Sequence, residues 1–391
     1  MNLDKKMIKN SIPQIRFKGF DVVWVEKRIA DIVKISAGGD LDKTKLKESG
    51  KYPVVANALT NKGIVGFYDD YKVKAPAVTV TGRGDVGYAV ARHENFTPIV
   101  RLLTLQSENI DVDYLENQIN SMRILNESTG VPQLTAPQLG NYKVYHPEIE
   151  EQSAIGSLFR TLDDLLDSYK DSLANYQSLK ASMLAKMFPK SGQTIPEIRL
   201  DGFEGEWEVK ELGDIVKFYS GLTYKPSDVL SCGTLVLRSS NVRDGELIYV
   251  DNVFVNPDIV NCQNVKSGDI VVVVRNGSRD LIGKHALIKS EMPNTVIGAF
   301  MTGVRCDNPE FINALLDTKM FISEIHRNLG STINQITTGN FKRMKFYFPL
   351  KDEQQAIGAY FSNLDNLISA HQEKISQLET LKKKLLQDMF I

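Results

Sequence analysis

One segment of the chain is written twice. Residues 133–188 and 335–390 align without a gap at an offset of 202. Gln133/Gln335, Pro147/Pro349, Glu151/Glu353, Gln152/Gln354, Ala154/Ala356, Ile155/Ile357 and Gly156/Gly358 match, as does the closing Met187-Phe188/Met389-Phe390. A repeat of this length fixes the architecture before any local pattern is read. Most of it carries a helical stripe. Ile155, Leu162, Tyr169, Tyr176 and Met183 recur every seven residues, with Leu158, Leu165 and Leu179 three further on. The second copy gives Ile357, Leu364, Leu378 and Leu385 at a, and Tyr360, Leu367 and Leu381 at d. Such heptads, free of proline, predict two coiled-coil helices that serve as each other's partner. About 35 residues make a rod of roughly 50 Å. Ser172, His371 and Lys374 break the stripe and are the expected register-setting positions.

A second repeat opens each half. Residues 12–38 recur at 195–221, an offset of 183, with Arg16/Arg199, Trp24/Trp207 and the Asp-Ile-Val-Lys runs at 31–34 and 214–217 in common. The tryptophans read as core residues. The offset grows from 183 to 202, so the second half carries 19 more residues in its middle, and the middles agree poorly. Equal frames around unequal centres imply one scaffold presenting two specificities.

Both centres read as strand and turn. In the first, 54–71 predicts strand, polar loop (56–63) and return strand, and Val78–Val90 a glycine-tipped hairpin. In the second, 235–250 and 267–288 follow the same plan, with Gly84/Gly277 and Asn57/Asn241 at corresponding places. A helix is expected at Val112–Leu125 and another at Pro309–Leu329. The Pro/Gly/Ser composition of 189–194 marks a connector.

The chemistry-bearing motifs are few. Gly82-Arg83-Gly84-Asp85-Val86-Gly87 spells GxGxxG, but a dinucleotide site needs it to open a helix, and Tyr88–Arg92 alternates like a strand. Gly277–His285 has the wrong spacing for a phosphate loop and lacks the Ser/Thr. Three dispersed cysteines and five histidines give no metal-ligand spacing, so no metal and no cofactor is expected. Catalysis by this chain is not expected. No apolar run reaches membrane-span length, and residues 1–10 lack a signal-peptide core, which predicts a cytoplasmic, membrane-free protein. With 47 Lys+Arg against 48 Asp+Glu, any nucleic acid must be held by local patches or with a partner's charge.

Those patches lie on the glycine-flanked loops. Arg suits guanine, Asn adenine, and Ser or Thr either. The first centre offers Asn57, Asn61, Lys62, Thr81, Arg83 and Arg92. The second offers Arg238, Ser240, Asn241, Arg243, Arg275, Asn276, Ser278, Arg279 and Lys284. Arg83 and Arg275 stand out because each sits on a tight hairpin tip.

The paired opening blocks, the TGRGDVG and RNGSRDLIGK hairpins, and the doubled Pro-x-x-x-Glu-Gln-x-Ala-Ile-Gly helix starts resemble the specificity subunits of type I restriction-modification enzymes over nearly the whole chain. The resemblance implies an α+β fold: two pseudo-repeated, strand-rich recognition domains separated by two long antiparallel coiled-coil helices. The expected division is a first target recognition domain at 1–148, a spacer helix at 149–188, a linker at 189–194, a second recognition domain at 195–350 and a second spacer helix at 351–391. It implies a non-catalytic subunit that reads a bipartite, asymmetric site on double-stranded DNA. Two methyltransferase subunits carrying their own S-adenosylmethionine would methylate adenine, and motor-nuclease subunits would join them for restriction. The competing reading is a scaffold for partners other than DNA, built on the paired helices.

Overall fold

The computed structural model describes residues 12–122, 124, 131–329 and 334–391. Residues 1–10, Leu125 at the end of the first expected helix, and residues 128–130 and 330–332 lie outside the described residues. Packing divides the chain into two compact units. The first runs to Asp171 and takes in Glu373–Ile391; the second is Ser172–Gln372. This cut passes through both long helices, so each unit holds the head of one and the tail of the other.

In the first unit, β1 (Val25–Arg28), α1 (Ile29–Ile32) and β2 (Lys34–Ala37) form the opening block. The centre follows as β3 (Tyr52–Val55), β4 (Ile64–Tyr68), β5 (Ala77–Thr81), β6 (Ala89–Arg92), β7 (Thr97–Pro98) and β8 (Leu102–Gln106). Then come α2 (Val112–Ser121), α3 (Ala136–Asn141), β9 (Lys143–His146) and α4 (Ile149–Met187). One antiparallel sheet has the order β2-β8-β5-β6, and a second the order β4-β3-β7 with β3 parallel to β7. Every residue of β5, Ala-Val-Thr-Val-Thr, is buried. That suits β-branched side chains on a strand covered on both faces. β1 pairs with β9, so the opening block is stitched to the entry of the long helix.

The second unit repeats the plan. β10 (Glu208–Glu211), α5 (Leu212–Ile215) and β11 (Lys217–Ser220) open it. The centre contains β12 (Val229–Leu230), β13 (Thr234–Leu237), β14 (Val242–Arg243), β15 (Glu246–Leu247), β16 (Val253–Val255), β17 (Ile270–Val273), β18 (His285–Leu287), β19 (Thr295–Ile297) and β20 (Met301–Arg305). α6 (Pro309–Leu316), α7 (Lys319–Asn328), α8 (Thr338–Arg343), β21 (Lys345–Phe348) and α9 (Lys351–Asp388) complete it. The sheet β11-β20-β17-β18 and the pair β10-β21 match those of the first unit, while β16-β13-β19 matches β4-β3-β7 with β12 added at its edge and β14-β15 as a further pair.

Several expectations change. The return strand after β13 is β16, beyond the expected 249–250, because Asp244 and Gly245 at positive φ fold 242–247 into a hairpin of its own. The helix expected at Pro309–Leu329 is two: Thr318 caps a new start by accepting a hydrogen bond from Phe321 N at 3.2 Å.

The seam of the long helices is also re-lettered. Leu165, Leu179, Leu367 and Leu381, the expected d residues, are 39–45% exposed. The buried partners of the a stripe lie four residues on instead: Phe159, Leu166 and Met187 on α4, Phe361 on α9, and Met389 just past its end. Within each unit the two segments run antiparallel. In the first, Ile155, Phe159, Leu162 and Leu166 share a core with Leu378, Met389 and Phe390. In the second, Met187 and Phe188 share one with Ile357, Phe361 and Leu364. Lys180 and Lys382, related by the repeat offset, are polar positions of this seam that were not expected; of the three expected, His371 meets Tyr176 of α4 with ring centroids 5.2 Å apart, Ser172 is half-buried and Lys374 is exposed. Lys382 Nζ lies 2.5 Å from Asp163 in the first unit, and Lys180 Nζ 2.6 Å from Asp365 in the second.

Candidate nucleic-acid interface

The frame beneath the hairpins is held by a buried ion pair in each unit. Arg16 sends Nε and Nη2 to the two carboxylate oxygens of Glu151, both at 2.7 Å. Arg199 does the same to Glu353 at 2.8 and 2.7 Å. Ile15 N donates to Asp388 O, and Ile198 N to Lys186 O, both at 2.9 Å. Each opening block therefore touches the start of one long helix and the end of the other segment within its unit. Gln152 and Gln354 each donate to the carbonyl five residues back, Pro147 and Pro349, at 2.9 Å. Both halves of this lattice were visible as repeats; the pairing between them was not, since the partners are 135 and 154 residues apart.

On this frame the two hairpins are clamped alike. Arg83 bridges Gln133 and Arg275 bridges Gln335. Leu134 N donates to Gly82 O, and Ile336 N to Val274 O, both at 2.9 Å. Gly84 N donates to Pro132 O at 3.0 Å and Asn276 N to Asn334 O at 3.2 Å. The residue equivalent to Gly84 is thus Asn276, not Gly277, and Arg83 and Arg275 are true counterparts. The parallel strands correct the second correspondence: Val55 O accepts from Ile99 N, and Leu237 O from Gly298 N. Asn57 consequently matches Ser239, not Asn241. Both act on the tip. Asn57 Oδ1 accepts from Gly82 N at 2.6 Å and Arg83 N at 3.2 Å, while its Nδ2 donates to Arg83 O at 2.6 Å. Ser239 Oγ accepts from Asn276 Nδ2 at 3.0 Å.

The remaining candidates separate by burial. Arg92 is turned into the core, donating to Thr79 Oγ1 at 3.0 Å and Lys62 O at 2.6 Å, and burial pushes its guanidinium down to about 10. Thr81 is buried, bonded to Asp85 O and accepting from Tyr88 N. Asn241 is fully buried, with its amide on Ile248 O, Val250 O and Asn252. These three are corrected from base readers to internal staples of the loops, because a polar group already bonded inside has no free edge for a base. Arg238 is partly of this kind, with Nη2 on Asp251 O. Asn61 and Lys62 sit at φ 49 on an exposed turn, and Lys62 Nζ is 3.3 Å from Asp167. Ser240, Arg243, Ser278, Arg279 and Lys284 are exposed, as are Arg83 and Arg275.

Two residues that sequence reasoning missed lie beside the tips. Arg101, exposed at φ 75, precedes β8, and its carbonyl abuts Gly82. Phe300 occupies the matching place before β20, accepts hydrogen bonds from Val274 N and Arg275 N, and carries the Arg275 guanidinium 4.9 Å from its ring centroid. Only strand pairing reveals their equivalence, because the centres do not align by sequence. Among the described residues no group of His, Cys, Asp and Glu is placed to hold a metal ion. No helix among them is long and apolar enough to cross a membrane.

A doubled clamp presenting unlike hairpins defines a class of proteins built as two unlike centres on one repeated frame. Residues 22–201 and again 204–380 match the family described as type I restriction modification DNA specificity domain, and the chain belongs to that family. It is 26% identical to the MjaVIII type I restriction enzyme specificity subunit of Methanocaldococcus jannaschii over 274 residues, 66% of this chain and 64% of that one. It is 23% identical to the StySPI specificity subunit of Salmonella potsdam over 191 residues, 46% of this chain and 41% of that one. These matches thus span less than two thirds of either relative. The fold of a type I system S subunit crystal structure from M. genitalium superposes with a TM-score of 0.73 at 17% identity, covering 97% of this chain and 99% of that chain.

Proposed function

We propose that this chain is the DNA-recognition subunit of a type I restriction-modification enzyme. Each unit reads one half of a split, asymmetric site on double-stranded DNA, and the long helices set the gap between the halves. The observation that carries this reading is the identical clamp under both hairpins, Arg83–Gln133 and Arg275–Gln335, set against unlike side chains around the two tips. An identical frame gives both readers one docking geometry; unlike tips let the halves of the site differ. The exposed set (Asn61, Lys62, Arg83, Arg101, Ser240, Arg243, Arg275, Ser278, Arg279 and Lys284) supplies donors for base edges and phosphates, and Asn57, Ser239 and Asn276 hold the tips in place.

The chain itself does no chemistry on this reading. Two methyltransferase subunits bring S-adenosylmethionine, extrude the adenine and methylate it, and motor-nuclease subunits join for restriction. The formal net charge of −1 fits a subunit whose partners make much of the phosphate contact. The test is a genome-wide adenine-methylation map of cells expressing the cognate methyltransferase subunit with and without this chain. A split motif present only with the chain supports the reading. A stable complex that yields no chain-dependent motif overturns it.

A further inference from the structure

We infer that Phe300 sets specificity by holding the Arg275 guanidinium in one plane, so that Arg275 reads the O6/N7 edge of a guanine in the half-site taken by the second unit. This rests on the DNA-recognition reading and adds to it a base, a reader and the residue that positions the reader.

Arg275 is unusual among the exposed candidates in being fixed at both ends. Its backbone is held by Phe300 O at 3.2 Å and by the bridge to Gln335. The next residue, Asn276, is tied to Asn334 O, to Ser239 Oγ and to Ser278 N, and Asn334 Nδ2 closes the turn on Gly277 O at 2.9 Å. At the other end the guanidinium carbon sits over the Phe300 ring. A guanidinium held against a ring by cation–π attraction has that side covered and its planar fork of N–H donors free at the edge. An arginine fork of fixed orientation matches the two acceptors that guanine presents in the major groove. A phosphate can also take an arginine fork, so the salt dependence of binding is what separates the two; the exposed Arg279 and Lys284 on the same loop are further donors for phosphate. The ring itself is 51% exposed, so it lies open beside the tip. In the first unit the same two places hold Arg83 and Arg101, with no ring, so the arrangement belongs to one half-site only.

The experiment compares Arg275→Ala, Phe300→Leu and Phe300→Tyr in the full chain, co-expressed with its methyltransferase subunits. It reads methylation motifs genome-wide and the salt dependence of DNA binding. The expected result is that Arg275→Ala and Phe300→Leu relax one guanine of one half-site, by about 5- to 100-fold in preference, leaving the other half-site intact. Phe300→Tyr, which restores a ring, retains the preference. Because the ring is half exposed and leucine keeps an apolar filler, a thermal melt should show Phe300→Leu folded. Weakening that is uniform across sequences, with a reduced salt slope, makes Arg275 a phosphate contact and overturns the inference. Relaxation at a base other than guanine overturns it, and so does a Phe300→Leu protein that discriminates like the parent. No motif with the parent chain overturns the recognition reading itself, which separates the two failures.

Discussion

Arg16 and Glu151 show how much of this molecule rests on single pairs. Glu151 is 1% exposed, and besides the two prongs of Arg16 it receives Trp24 Nε1 at 3.2 Å. Replacing Arg16 with Ala leaves a buried carboxylate facing an indole N–H alone, a loss of about 3–5 kcal/mol in denaturant unfolding. A Met pair at the two positions should lose much less; equal losses would mean that the fork is not what holds the block. Asn57 makes a different prediction. It satisfies three backbone groups at the Arg83 tip, and Asn57→Ala should blur the half-site read by the first unit and leave the other unchanged, as scored by methylation mapping. What the sequence made legible here was the residue type at each tip. It did not show which polar groups are already spent. Arg92, Thr81 and Asn241 look like Arg83 and Arg275 in a string of letters, and only burial tells them apart.

At the scale of elements, both repeats, the hairpins and the long helices were legible because periodicity and glycine placement are local signals. The seam was placed one register off, because leucines at 165, 179, 367 and 381 complete a heptad on paper as well as Phe159 and Leu166 do. The repeat offset held the missing clue: Lys180/Lys382 and Asp163/Asp365 recur together. A charged residue inside an apolar seam selects alignment at some cost in stability. Reversing Lys382 to Asp should therefore destabilise the chain by about 1–3 kcal/mol, and adding Asp163→Lys should restore most of it; a double-mutant cycle with no coupling would contradict this. Glu116 on α2 sits in the same neighbourhood. Burial first, then the Asp163 carboxylate and more weakly Asp113, push its carboxyl up to about 7, against the pull of Ala91 N–H and Lys382. The folded state thus binds this proton more tightly than the unfolded chain. The associated stability is present below about pH 4.5 and lost as pH rises through about 7. Glu116→Gln should match the parent near pH 4 and exceed it at pH 8 by on the order of 1–3 kcal/mol. An equal difference at both pH values would point to packing, not charge. Gly156 gives a steric counterpart: an added Cβ would lie 2.3 Å from Asp111 Oδ1 and 2.9 Å from Tyr114 N, so Gly156→Ala should cost about 1–3 kcal/mol.

For the molecule as a whole, the account makes the frame common property and the centres individual. Sequence comparison of the two halves already carried that division, since the frames match and the centres do not. The true correspondence within the centres, Arg83 with Arg275 and Arg101 with Phe300, required strand pairing, because strands of two to five residues joined by loops of unequal length leave no sequence register to follow. Removing one heptad from a long helix should alter the tolerated gap between half-sites without changing either of them. The central claim is most directly tested by exchanging residues 39–132 for the first centre of another family member and mapping adenine methylation beside the parent chain. The account predicts that one half-site changes and the other, with the gap, stays as it was. A change in both half-sites, or in neither, would contradict it.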